Sequence, residues 1–231
     1  MWQDFLNFPL ACYNSYNYSL GMMSNSQGTE NGAGGSLNER AYGALLDDIL
    51  EGRLAPGAPV DRKALAERLG MSVAPVHMAV NQMEADGLVV TLPRRGTHVR
   101  VYKPEDIRGH RVVRVALEGQ AARIYAGEVI SLQRGKLRPL AQKVQKSSPA
   151  NMERIRAEIE FHHQLVALAD VPMLTRFFDR VMTIGLFMTS SGIMPVEEKP
   201  RDNHVRLIDD LCEASPVQAE KRIRKHILQK G

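Results

Sequence analysis

The sequence predicts a mainly α protein in two parts: three helices closed by a β-hairpin, then an all-helical antiparallel bundle of about six helices. Two observations carry this. Between Ser36 and Lys103, apolar residues recur at helical spacing in three short runs and then alternate on either side of a Pro93-Arg94-Arg95-Gly96 turn. From Pro104 onward the helical pattern is broken at Pro149, Pro172, Gly192-Ile193-Met194-Pro195 and Ser215-Pro216, with no strand signal.

Order is expected to begin at Ser36. Ser36-Leu37-Asn38-Glu39 reads as a capping box, in which the serine hydroxyl and the glutamate side chain each satisfy the other's backbone N–H. Tyr42, Leu45, Leu46, Ile49 and Leu50 then share one helical face, and Pro56-Gly57-Ala58-Pro59 turns the chain. Asp61 is placed to cap a second short helix carrying Leu65, Ala66 and Leu69, ended by Gly70. Ser72 is placed to cap a third, with Pro75 in its first turn, running through Val76, Val80 and Met83 to Gly87. Residues 88–91 and 97–101 complete a hairpin. Three helices, the last two joined by a tight turn, followed by a hairpin, make the winged helix-turn-helix plan.

The second part is expected to place helices at roughly 104–127, 131–146, 149–170, 172–191, 196–214 and 216–230, joined by short connections that favour an antiparallel bundle. The predicted organisation is therefore an N-terminal arm over 1–35, a winged helix-turn-helix domain over 36–103 and a helical domain over 104–231. The arm holds six of the thirteen aromatic residues yet dissolves into glycine and serine, so a disordered segment is expected, or an extension upstream of a true start at Met22 or Met23.

Composition excludes several classes. No run approaches the roughly 20 apolar residues of a spanning helix. Cys12 and Cys212 are too few for a disulfide framework or a thiolate zinc site, and their usage fits a cytoplasmic protein. The net charge of +4 hints at an anionic partner, but residues 36–103 carry nine Lys/Arg against eight Asp/Glu. Charge alone does not pick out a DNA-binding domain.

The motifs do. Gly52-x-Leu54-x-Pro56-Gly57, Leu65-Ala66-Glu67-Arg68-Leu69-Gly70, Pro75-Val76, Glu84-Ala85-Asp86-Gly87-Leu88 and Arg95-Gly96-Thr97 resemble the DNA-binding domain of GntR regulators. Arg114-Val115-Ala116-Leu117-Glu118, Ala121-Ala122 and Phe161-His162 resemble the helical FCD domain of the FadR branch. The resemblance implies a homodimer on a palindromic double-stranded operator. The candidate DNA-contacting residues are Lys63, Ser72, Val73, His77, Arg94, Arg95 and Gly96. One departure matters: where the family usually carries two arginines on its recognition helix, this chain has Val73 and His77. An arginine forks onto guanine, worth about 1–3 kcal/mol of discrimination. Valine offers apolar contact, as with a thymine methyl, so a different operator or a weaker affinity is expected.

A metal site is argued from the residues themselves. At 100° per residue, Ile155, Ile159, His162, Val166 and Ala169 share a stripe that also takes in Glu158, while Glu160 points away. His204 is in register with Leu207, Ile208 and Leu211, and His226 with Ala219, Ile223 and Lys230. A lone inward histidine is usually a satisfied core residue. Three with a carboxylate each demand a partner, and a divalent cation (zinc, nickel or manganese) answers all four. In the resembling family an aspartate and three histidines hold a metal at these positions; here Glu158 stands in the aspartate's place. Arg114 is the candidate anchor for a small carboxylate effector, the alternative being a plain helix pair with Glu118.

The leading expectation is a ligand-responsive transcription regulator, a repressor, with no enzymatic activity. The alternatives are a metal-dependent helical-bundle hydrolase using Glu158 or Glu160 as base, and a degenerate regulator without specific DNA binding.

Overall fold

A computed structural model of the chain describes residues 36–148, 152–195 and 203–228, so the expected N-terminal arm lies outside the described residues. The chain divides into two compact units, the first ending at Arg100 and the second beginning at Val101.

In the first unit, α1 (Leu37–Leu50) opens with the expected capping box: the Ser36 N–H donates to Glu39 Oε2 at 2.8 Å and the Glu39 N–H to Ser36 Oγ at 3.4 Å. In α2 (Arg62–Leu69), Asp61 Oδ1 accepts from the backbone of Lys63 and Ala64, and Gly70 closes the helix in the left-handed region at φ 63°. The third helix, α3 (Val73–Asp86), departs from expectation at its start. Ser72 occupies the N-cap in extended backbone but makes no side-chain cap hydrogen bond. Pro75 sits at the third helical position and has no N–H for the hydroxyl to accept. Val76, Ala79, Val80 and Met83 are buried along one face, and α3 packs on α1, on α2 and on the first strand. Strands β1 (Val89–Leu92) and β2 (Gly96–Val99) pair antiparallel with Val89 opposite Val99 and Leu92 opposite Gly96, one residue later at the start and two shorter at the end than the pattern suggested. The tip needs left-handed backbone at Gly96 (φ 83°) and at Arg94 (φ 62°), a conformation uncommon for a side-chain-bearing residue.

The second unit is the expected all-helical bundle: α4 (Pro104–Tyr125), α5 (Glu128–Lys146), α6 (Met152–Ala167), α7 (Pro172–Ser190), α8 (His204–Cys212) and α9 (Pro216–Leu228). Helix α4 runs through its middle, packed on α9, α7, α6 and α5. Its own Tyr125, with Phe161, Phe178, Phe187, Leu165 and Ile208 from other helices, is fully buried. Among the described residues no helix is long and apolar enough to cross a membrane.

Candidate metal centre and nucleic-acid interface

Three helices each deliver one histidine to the same buried point. His162 comes from the middle of α6, His204 is the first residue of α8, and His226 lies in the last turn of α9. Each is buried within its apolar stripe: Ile159 and Val166 flank His162, Leu207, Ile208 and Leu211 follow His204, and Ala219 and Ile223 precede His226. Their ring centroids lie 4.8–6.0 Å apart. One ring nitrogen from each falls within 4.8 Å of the others. Phe161 packs edge-on against His162 and His204.

A carboxylate stands behind the group, and it comes from α4. Glu118 is 1% exposed; its Oε2 accepts from His162 Nδ1 at 2.5 Å and its Oε1 from Arg114 Nε at 2.6 Å. His162 Nδ1 is thereby engaged, while its Nε2 is a buried atom with no hydrogen-bond partner. Both ring nitrogens of His226 and the Nη2 of Arg114 are likewise buried without hydrogen-bond partners. Burial, reinforced by His162 and His204, pushes His226 down to about 2, so its ring is neutral and its lone pair available. Burial alone would raise Glu118, but the neighbouring His162 and Arg114 outweigh it and hold its carboxyl at about 2, ionised.

Glu158, expected as a ligand, stands outside the three-histidine group. It is half-buried on α6, 3.7 Å from the Nε of Arg154 one turn earlier, a pair that counting helical faces does not reveal. Glu160 is also half-buried rather than solvated, accepting from Gln164 at 3.2 Å. The weighed Arg114–Glu118 helix pair is present, yet it leaves one guanidinium nitrogen over. Glu118 itself had a signal: it lies one turn after Arg114 and in line with the buried Ala121, Ala122 and Tyr125.

Three imidazoles with a ring nitrogen each within 4.8 Å of the others form a donor set that fits a divalent cation, with a carboxylate behind one of them. The free Arg114 Nη2 fits an anion beside it.

In the first unit, Lys63 is exposed at the start of α2, Ser72, Val73 and His77 are exposed along α3, and Arg94, Arg95 and Gly96 are exposed at the hairpin tip. Arg62 Nη2 donates to Thr97 Oγ1 at 2.7 Å, tying α2 to the hairpin. Met78 and Asn81 lie exposed on the same side of α3 and were not singled out by sequence, although they follow Ala74 and His77 by one helical turn.

Residues 37–99 match the family described as bacterial regulatory proteins, gntR family, and residues 111–229 match the FCD domain. A probable D-xylose utilization operon transcriptional repressor of Paenarthrobacter nicotinovorans is 31% identical over 189 residues, covering 79% of this chain and 82% of that one. The HTH-type transcriptional repressor RspR of Escherichia coli K12 is 24% identical over 200 residues, covering 83% and 86%. Among solved structures, a transcriptional regulator GntR from Rhodococcus sp. RHA1 superposes with a TM-score of 0.63 at 20% identity, over 83% of this chain and 94% of that one. Winged helix and helical bundle together thus define a transcriptional regulator. The chain belongs to the GntR family and carries an FCD domain as its second half.

Proposed function

We propose that this chain is a repressor that binds a palindromic operator as a homodimer, and whose DNA affinity changes when a small carboxylate settles beside a divalent metal in the second domain. The observation that carries the reading is the buried meeting of His162, His204 and His226 next to an arginine with an unsatisfied Nη2. Buried polar atoms without partners, here His162 Nε2, both ring nitrogens of His226 and Arg114 Nη2, are costly, and their presence around one histidine group supports a place built for a ligand. A metal there would supply a coordinating Lewis-acidic positive centre, which the single charge of a guanidinium does not. His162, His204 and His226 hold it, Glu118 keeps His162 oriented, and Arg114 receives the effector's carboxylate.

Response to the effector follows from a two-state equilibrium in which the ligand binds one arrangement of α4 better than the other. Helix α4 carries both Arg114 and Glu118 and follows β2 after only Arg100-Val101-Tyr102-Lys103 in the chain. The hydrolase alternative loses ground because the relatives are transcriptional regulators. A cytoplasmic location accords with DNA as the partner.

The test is metal stoichiometry by elemental analysis after reconstitution with zinc, nickel or manganese. About one equivalent per chain is expected for the wild type and a large loss for His204→Ala. A wild type that retains no metal under any of the three would reduce the cluster to a polar core.

A further inference from the structure

We propose that α3 reads thymine methyl groups and adenine edges, so that the base pairs it meets in the major groove are A·T. This rests on the reading above that the chain binds DNA. The exposed residues Val73, Ala74, His77, Met78 and Asn81 fall within an arc of about 140° at 100° per residue. The buried Val76, Ala79, Val80 and Met83 occupy the opposite side. This outward face contains no Lys or Arg, and neither does the rest of the helix.

The forked cationic donor that most often reads guanine is absent from α3, where His77 offers at most a single hydrogen bond. Reading cytosine takes a carboxylate acceptor. The only carboxylates on α3 are Glu84, which accepts from the backbone and hydroxyl of Thr91, and Asp86, which accepts from Tyr42 Oη at 2.9 Å. Both belong to the last turn and are engaged within the domain. The outward side chains instead suit A·T pairs. Val73 and Met78 expose 43% and 58% of their surface, large for apolar residues, and with Ala74 they offer methyl contacts to the thymine C5-methyl. Asn81 offers the amide that pairs with adenine N6 and N7. Cations lie off the helix, at Lys63 on α2 and at Arg94 and Arg95 on the hairpin tip, where phosphates are the natural partners. The domain thus separates charge for the backbone from apolar contact for the bases.

The experiment selects duplexes from a random pool with the full-length protein, then replaces thymine by deoxyuridine one position at a time in the enriched duplex. Uracil lacks only the C5-methyl. Loss of a buried methyl should weaken binding about fourfold at each contacted thymine. Met78→Ala should weaken binding to the thymine duplex but much less to the matching uracil duplex, and Val73→Arg should move selection toward G·C. Both positions are exposed, so folding should be retained, as circular dichroism would verify. Enrichment of G·C pairs at the sensitive positions, or uracil substitution without effect at every thymine, overturns the methyl-reading proposal. Failure to enrich any duplex overturns the DNA-binding reading instead.

Discussion

Glu118 Oε2 accepts a 2.5 Å hydrogen bond from His162 Nδ1 across 44 residues of sequence, with both side chains buried. The same carboxylate holds Arg114 through its other oxygen. One residue therefore orients a candidate metal ligand and a candidate effector anchor, and either partner left alone would be a buried polar group without compensation.

Glu118→Gln should consequently lower metal affinity by about 10–100-fold, the usual effect of losing a partner behind a ligating histidine. It should also destabilise the domain by about 3 kcal/mol, since Arg114 then stays charged and buried without its counter-ion. Glu158→Gln, outside the histidine group, should shift metal affinity far less. Competition titrations with a zinc chelator, alongside urea unfolding, check both. Equal losses in the two variants would mean that Glu158 moves into the site when metal binds.

The histidines were legible because helical periodicity alone puts each on an apolar stripe. What periodicity cannot give is which helix faces which, and Glu118 acquires its meaning only when α4 lies against α6. Glu158 illustrates the converse. Its backbone position falls on the inward arc, but its carboxylate lies near Arg154, a choice made by the side chain and not by the helix. Ser72 fails as a side-chain cap for a reason that was in the sequence: the proline three residues on removes the donor. Apart from that cap and the strand ends, the winged helix was legible because its glycines, prolines and remaining caps sit where turns require them.

The wing should contribute phosphate contacts through Arg94 and Arg95, both exposed at the hairpin tip. Arg95→Ala should weaken binding to the selected duplex and reduce the slope of log affinity against log salt by about 1, because one fewer counter-ion is released. Affinity measured over a range of potassium chloride concentrations checks this. An unchanged slope would take Arg95 off the backbone.

Gly185 on α7 is fixed by His110 on α4. A Cβ at position 185 would come within 2.5 Å of the His110 Nε2, and the ring cannot easily swing away because that nitrogen donates to the Val181 carbonyl at 3.0 Å. Gly185→Ala should therefore cost about 1–3 kcal/mol by overpacking, despite the better helix propensity of alanine. In the His110→Ala background the same substitution should be close to neutral or stabilising. A double-mutant cycle by chemical denaturation measures the difference, and additive effects would show that the contact is relieved elsewhere.

His110 also links stability to pH. Burial first, and then the charge of Arg114, push it from 6.5 down to about 4 in the folded protein. A histidine depressed on folding binds its proton more readily when unfolded. Its contribution is complete above pH 6.5 and is lost as pH falls from about 6.5 toward 4. Each pH unit within that window removes about 1.4 kcal/mol, some 3 kcal/mol over the whole of it. His226 acts in the same sense over a wider acid range, so the absolute curve mixes the two. The difference between wild type and His110→Asn isolates the first. In metal-free protein, urea midpoints at pH 7.5, 6, 5 and 4.5 should fall more steeply for the wild type than for the variant, with the two converging toward the acid end. Parallel curves would mean that His110 takes up its proton as easily folded as unfolded, and that its buried contact with Val181 opens in acid at little cost.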